Sequence, residues 1–208
     1  MDFAGFRLKS NSRTSRLGIP NPPPPMQNTP TPNFFEFYGI PVALTVDATA
    51  VRRIYLEKSR THHPDFHTQA DNNIQADALH WATLNNEAFK TLSHPDLLLE
   101  YVLRLTNTIS DGAKQSVLPQ EFLFEMMDIN EKIMSLEFDP DPTLYKSVLE
   151  SVQNIENNLK NSVGSLLESW TADTHTAHDL ESVKDYFLKR KYLLRIKENV
   201  TKFAPAFE

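Results

Sequence analysis

The sequence contains no cysteine among its 208 residues. This absence excludes disulfides, thiol nucleophiles and any metal centre that is held by thiolates. The net charge is −6, so the chain has no overall basic field to attract nucleic acid. No apolar run approaches the roughly 18 residues that a transmembrane helix needs. We therefore expect neither a nucleic-acid partner nor a membrane partner.

Residues 1–32 differ in composition from the rest of the chain. They hold half of the 14 prolines, including the run at 22–25. They also hold four basic residues, Arg7, Lys9, Arg13 and Arg16, and a single acid, Asp2. A proline-rich polar segment cannot pack a core, so we expect a disordered tail. A basic, serine-containing start is also typical of an organelle transit peptide, although the proline run argues against the amphipathic helix of such peptides.

From residue 33 onward, caps, proline positions and apolar spacing of three to four residues predict helices almost throughout. Glycine is scarce, with five residues, and no segment alternates with period two. The predicted helices cover 34–38, 48–61, 74–92, 97–105, 119–136, 143–170 and 177–203. We predict an all-α protein of two units with a joint near residue 112, the second unit being a three-helix bundle.

The second predicted helix is strongly basic and ends at a polar loop. It carries Arg52, Arg53, Lys58 and Arg60 against Glu57, and the tripeptide His63-Pro64-Asp65 follows it. Such a local positive patch can steer a partner even when the net charge is negative. A rigid proline between an imidazole and a carboxylate loses little entropy on docking.

The same tripeptide recurs as His94-Pro95-Asp96 after the third predicted helix. This second copy follows a helix end that carries only Lys90, and it continues into the apolar run Leu97-Leu98-Leu99. We interpret it as a helix terminator and the first copy as the functional one.

A basic helix, the His63-Pro64-Asp65 loop and an apolar third helix resemble a J-domain, and further blocks resemble the HscB family. They are an aromatic block at 34–41, a third-helix block at 86–92, His94-Pro95 with 100–103, a helix block at 122–131 and the apolar cluster Tyr192-Leu193-Leu194. Two residues depart from the family pattern: His67 stands where many members have lysine, and Asn130 replaces a frequent arginine.

The resemblance implies an L-shaped protein with a disordered tail at 1–32, a J-domain at 33–112 and a client-binding bundle at 113–208. It implies a co-chaperone that stimulates the ATPase of a DnaK- or HscA-type chaperone and delivers an IscU-like iron–sulfur scaffold protein to it. The chaperone would be bound by Arg52, Arg53, Lys58, Arg60, His63, Pro64 and Asp65.

The bundle's first helix has more apolar residues than a core-facing stripe requires. Phe122, Met126, Ile129 and Ile133 form one stripe, while Leu123, Phe124, Met127 and Met134 form a second one, which suits an adaptable docking surface. A thickly buried core helix is the alternative. The resemblance selects as client-binding residues Leu123, Phe124, Glu125, Met127, Asp128, Glu131 and Tyr192.

Two other functions fit parts of the sequence. A J-domain protein that serves a different client would share the first unit only. A histidine-bound metal could use His63 with His67, or His175 with His178, but Pro64 interrupts the helical spacing of the first pair. No phosphate-binding loop or nucleophile elbow is present, so we expect no catalysis, no cofactor and no metal. The family and the missing cysteine favour bacterial cytoplasm, with the mitochondrial matrix as the alternative.

Overall fold

A computed structural model describes residues 31–62, 72–110, 118–172 and 176–203 of the chain. Within these ranges the secondary structure is helical apart from one isolated bridge between Ala43 and Thr171. The helices are α1 Phe34–Tyr38, α2 Ala48–His62, α3 Asn72–Ser93, α4 Pro95–Leu105, α5 Gln120–Phe138, α6 Pro142–Ser169 and α7 Ala177–Thr201. The predicted all-α fold is confirmed. The predicted tail, the His63-Pro64-Asp65 loop and the joint near residue 112 lie outside the described residues.

The predicted caps set the ends of the first helix. The Asn33 side chain accepts hydrogen bonds from the Phe35 and Glu36 amides, and the Glu36 carboxylate accepts one from the Asn33 amide at 3.0 Å. Gly39 closes α1 with a φ of +66°, a backbone conformation that costs glycine nothing because it lacks a Cβ atom. A second capping box, between Thr176 and Asp179, begins α7.

The first hydrophobic core draws on both halves of the chain. The N-terminal half supplies α1 and α4 side chains such as Phe35, Leu98 and Leu99. The C-terminal half supplies Val163, Trp170, Val183, Tyr186 and Phe187 from α6, its C-cap and α7 to the same cluster. Helices α6 and α7 therefore complete the core of the half that precedes them.

The second core lies inside the three-helix bundle. Its buried side chains come from all three helices: Phe122, Met126, Ile129 and Ile133 of α5, Val148, Val152 and Ile155 of α6, and Leu193, Ile196 and Val200 of α7. Leu159 of α6 packs against both cores. Leu149 of α6 lies outside this core and is 39% exposed.

Several helix boundaries differ from the prediction by one or two residues. Helix α4 begins at Pro95 and not at Leu97, because proline lacks an amide hydrogen and is tolerated at the first helical position. Helix α5 continues to Phe138, two residues beyond the predicted end. In the described part of the chain, no helix is both long enough and apolar enough to cross a bilayer.

Candidate docking surfaces

The basic residues of α2 present a common exposed face. Arg52, Arg53 and Arg60 are exposed, and together with Leu56 they line one shallow depression. Spacing of three to four residues places side chains on the same side of a helix. Leu56 is 46% exposed between the arginines. This set, which we call the basic face, could bind an acidic surface that has an apolar centre.

Lys58, the fourth predicted chaperone contact, has a different environment. Its Nζ atom lies 4.2 Å from the centroid of the Phe37 ring of α1. Burial lowers the pKa of Lys58, an effect that the neighbouring Glu57 carboxylate partly opposes. Lys58 therefore ties α2 to α1, and its role in chaperone binding stays a prediction.

A buried asparagine fixes α2 against α1 and α3. Asn85 of α3 is 1% exposed and donates hydrogen bonds to the Tyr55 carbonyl at 3.1 Å and to Ser59 Oγ at 3.0 Å. Its Oδ1 accepts a hydrogen bond from the Tyr38 hydroxyl at 3.0 Å. Sequence reasoning missed Asn85, although it lies four residues after Trp81 and three before Ala88 in the apolar stripe of α3. A polar residue in such a stripe was the available signal.

His63, Pro64, Asp65 and His67 follow α2 in the sequence and lie outside the described residues. The helices on both sides are described and pack together, with the rings of Tyr55 and Phe89 stacked at 4.3 Å. The tripeptide thus connects the basic face to the antiparallel partner helix. Its role in chaperone binding stays a prediction.

The second tripeptide lies at the start of α4. Pro95 occupies the first turn, and Asp96 accepts two hydrogen bonds from Arg190 of α7, at 2.6 Å to Oδ1 and 3.2 Å to Oδ2. This contact with Asp96 raises the pKa of Arg190 above its ordinary value. The predicted end of α3 before this tripeptide agrees with the structure, since α3 stops at Ser93. Sequence reasoning did not foresee the pairing with α7.

The predicted client-binding residues of α5 lie mainly in solvent. Phe124 is 64% exposed and Met127 is 63% exposed, whereas Phe122 and Met126 of the neighbouring stripe are buried. The division of α5 into a core stripe and a second, exposed stripe therefore agrees with the burial pattern. Exposed apolar side chains in such a row are typical of an interaction site.

The remaining predicted client contacts surround this row. Glu125, Asp128 and Glu131 are exposed on α5, and Leu123 is half-buried. Tyr192 of α7 is also half-buried, and its ring meets the Phe122 ring edge-on at 6.1 Å. Tyr192 therefore packs against the core of the bundle on one side and is exposed at the surface on the other. Client binding by these residues stays a prediction.

The histidines give no metal site within the ranges that the structure describes, where no group of three or more potential ligands occurs. His175, like His63 and His67, falls outside those ranges.

The fold and the two surfaces define a class of protein: a J-domain-type hairpin with a basic helix, joined to a three-helix bundle that exposes an apolar row. Comparison with known proteins shows which proteins the chain is similar to. Residues 118–201 match a family model described as the HSCB C-terminal oligomerisation domain.

Relatives with curated names match over most of the chain. A co-chaperone protein HscB homolog from Vibrio campbellii is 25% identical over 169 residues, which cover 75% of this chain and 99% of the relative. The human iron–sulfur cluster co-chaperone protein HscB is 26% identical over 171 residues, which cover 82% of this chain and 68% of the relative.

Solved structures share the fold. Chaperone HscB from Vibrio cholerae superposes with a TM-score of 0.69 at 22% identity, covering 85% of this chain and 100% of that one. The crystal structure of human co-chaperone protein HscB gives a TM-score of 0.65 at 24% identity, covering 93% of this chain and 92% of that one. Together, these matches show that the chain is similar to HscB co-chaperones in sequence and shares their fold.

Proposed function

We propose that the chain is a co-chaperone in iron–sulfur cluster assembly, which couples a DnaK- or HscA-type chaperone ATPase to an IscU-like scaffold protein. The observation that carries this proposal is the presence, in one chain of HscB type, of the basic face on α2 and the exposed apolar row on α5. The relatives are named as co-chaperones, which agrees with a protein that catalyses no reaction itself.

The basic face and the adjoining His63-Pro64-Asp65 loop would dock on the chaperone. The three arginines supply long-range attraction that salt screens, and Leu56 supplies apolar contact at the centre. Docking would accelerate ATP hydrolysis by the chaperone, and no proton or phosphate need pass through this chain. The coupling between client, co-chaperone and nucleotide sites is typically about 1–3 kcal/mol.

The apolar row of α5, with the acidic side chains beside it, would hold the scaffold protein. Helices α6 and α7 belong to both hydrophobic cores, so a client bound on α5 is carried by the same packed structure that holds α4. This arrangement supports delivery of the client to the chaperone at a fixed position. We propose the bacterial cytoplasm as the compartment, with the mitochondrial matrix as the alternative.

The decisive experiment measures steady-state ATP hydrolysis by a DnaK-type chaperone with the wild-type chain, His63→Gln and His94→Gln. We expect stimulation by the wild type, its loss in His63→Gln and its retention in His94→Gln. His94 is a matched control, because it precedes the same dipeptide, is exposed and makes no side-chain capping hydrogen bond. Absence of stimulation by the wild type with both general and specialised chaperones would overturn the proposal.

A J-domain protein with another client remains the second candidate, and scaffold binding separates the two. The wild-type chain should retain a purified IscU-like scaffold protein, and the Leu123→Ala/Met127→Ala/Tyr192→Ala variant should not. If the wild type stimulates the chaperone but never binds the scaffold protein, the client belongs to another class.

A further inference from the structure

The exposed apolar row on α5 extends beyond the residues that are predicted to bind the client. Beyond Phe124 and Met127 it continues to Met134, which is 58% exposed, and to Phe138, which is 85% exposed. All four side chains project away from the buried stripe that faces α6 and α7. Each of the four is more than half exposed.

The spacing of this row is regular. Phe124, Met127, Glu131, Met134 and Phe138 follow one another at intervals of three, four, three and four residues. Such intervals keep side chains on one side of a helix, as in the seam of a coiled coil. The row spans 14 residue steps, or about 21 Å at 1.5 Å per residue. Glu131 therefore lies at its centre, with two apolar side chains on either side.

The charge of α5 restricts what can cover this row. The helix carries five exposed acids, Glu121, Glu125, Asp128, Glu131 and Glu137, and one base, the half-buried Lys132. A partner with a basic border would gain attraction, whereas an acidic partner would be repelled.

A second copy of the chain fits this face poorly. Phe124 and Phe138 lie seven residues before and after Glu131. A two-fold symmetric pairing that brings the whole row of α5 against its copy would therefore bring the two Glu131 carboxylates together at the centre of the contact. Like charges that lose water in this way oppose association.

We propose that the whole row from Phe124 to Phe138 is the contact surface for the scaffold client, and that a lysine or arginine of the client faces Glu131. This inference rests on the proposed client-binding role of α5 and extends that role to Met134 and Phe138. The client surface that it specifies is apolar, about 21 Å long and interrupted by one basic side chain.

The experiment measures the affinity of the full chain for a purified IscU-like scaffold protein by calorimetry. The variants are Met134→Ala/Phe138→Ala and Glu131→Lys, and the control is Leu79→Ala. Leu79 is an apolar side chain of α3 that is 60% exposed, comparable to Met134. We expect the dissociation constant to rise by about tenfold or more in both α5 variants and to stay unchanged in the control. Because the substituted side chains are exposed, each variant should keep the wild-type helical circular dichroism spectrum.

A Leu123→Ala/Met127→Ala variant in the same assay separates this inference from the proposed function. If that variant binds weakly while Met134→Ala/Phe138→Ala binds like the wild type, the extension is wrong and the proposed function stands. If the wild type does not bind the scaffold protein at all, both fail. Sedimentation velocity over a range of concentrations tests whether a second copy of the chain binds this row instead. A wild-type dimer that dissociates in Met134→Ala/Phe138→Ala would assign the row to a second copy and overturn the inference.

Discussion

Replacing Asn85 by alanine removes three hydrogen bonds at once from the contact between α1, α2 and α3. The amide loses its bonds to the Tyr55 carbonyl and Ser59 Oγ, and the Tyr38 hydroxyl loses its acceptor at 3.0 Å. Each such bond contributes about 1 kcal/mol net. The Tyr38 hydroxyl retains the Asn85 backbone carbonyl at 3.3 Å, which reduces the loss. We therefore expect the free energy of unfolding to fall by about 2 kcal/mol.

Urea denaturation followed by far-UV circular dichroism measures this change, and a double-mutant cycle with Tyr38→Phe isolates the shared bond. Tyr38→Phe alone should cost about 1 kcal/mol, and the double variant should cost less than the sum of the single variants by about 1 kcal/mol. Strictly additive losses would show that the bond between Tyr38 and Asn85 contributes nothing. A loss below about 0.5 kcal/mol for Asn85→Ala would refute the role given to the asparagine.

Two further predictions concern charge. Asp96→Asn removes the carboxylate charge that pairs with Arg190, so the free energy of unfolding should fall. The loss should be only about 1 kcal/mol because solvent partly screens this ion pair, and added salt should reduce the difference in stability between variant and wild type. Glu150→Gln is the control, because the ion pair of Glu150 with Lys146, at 4.0 Å, is largely exposed and should contribute nothing measurable to stability. Equal losses of stability in the two variants would contradict a stabilising role for the pair between Asp96 and Arg190. Burial raises the pKa of Tyr38, so the unfolded chain loses this proton first and stability should fall as the pH rises above about 10. The urea midpoint should therefore fall less steeply with rising pH in Tyr38→Phe than in the wild type. An equal dependence on pH in the two proteins would contradict this role of Tyr38.

Features that depend on neighbouring residues could be predicted from the sequence. The capping box of Asn33 and Glu36 and the closing Gly39 define α1, because a cap needs only side chains within four residues of the helix end. The apolar spacing on α5 likewise separates the buried Met126 from the exposed Met127, since adjacent helical residues point 100° apart.

Features that depend on distant residues could not be predicted. Asp96 meets Arg190 across 94 positions, and no local pattern pairs one aspartate with one arginine. Trp170, which follows α6, packs in the core that includes side chains of α1 and α4 and is not part of the core inside the three-helix bundle. Both contacts follow from how the two halves pack, and that packing has no local signature in the sequence.

The length of α6 has a consequence for how the protein can be divided. Its 28 residues span about 42 Å, and Leu159 near its middle packs against both cores. A chain truncated before α5 would lose the α6 and α7 side chains, such as Val163 and Phe187, that share a core with Leu98 and Leu99. Such a fragment should aggregate or fold only partly, and the full chain should unfold in a single transition. Exchanging the N-terminal half between relatives would therefore require exchanging the facing surfaces of α6 and α7 as well.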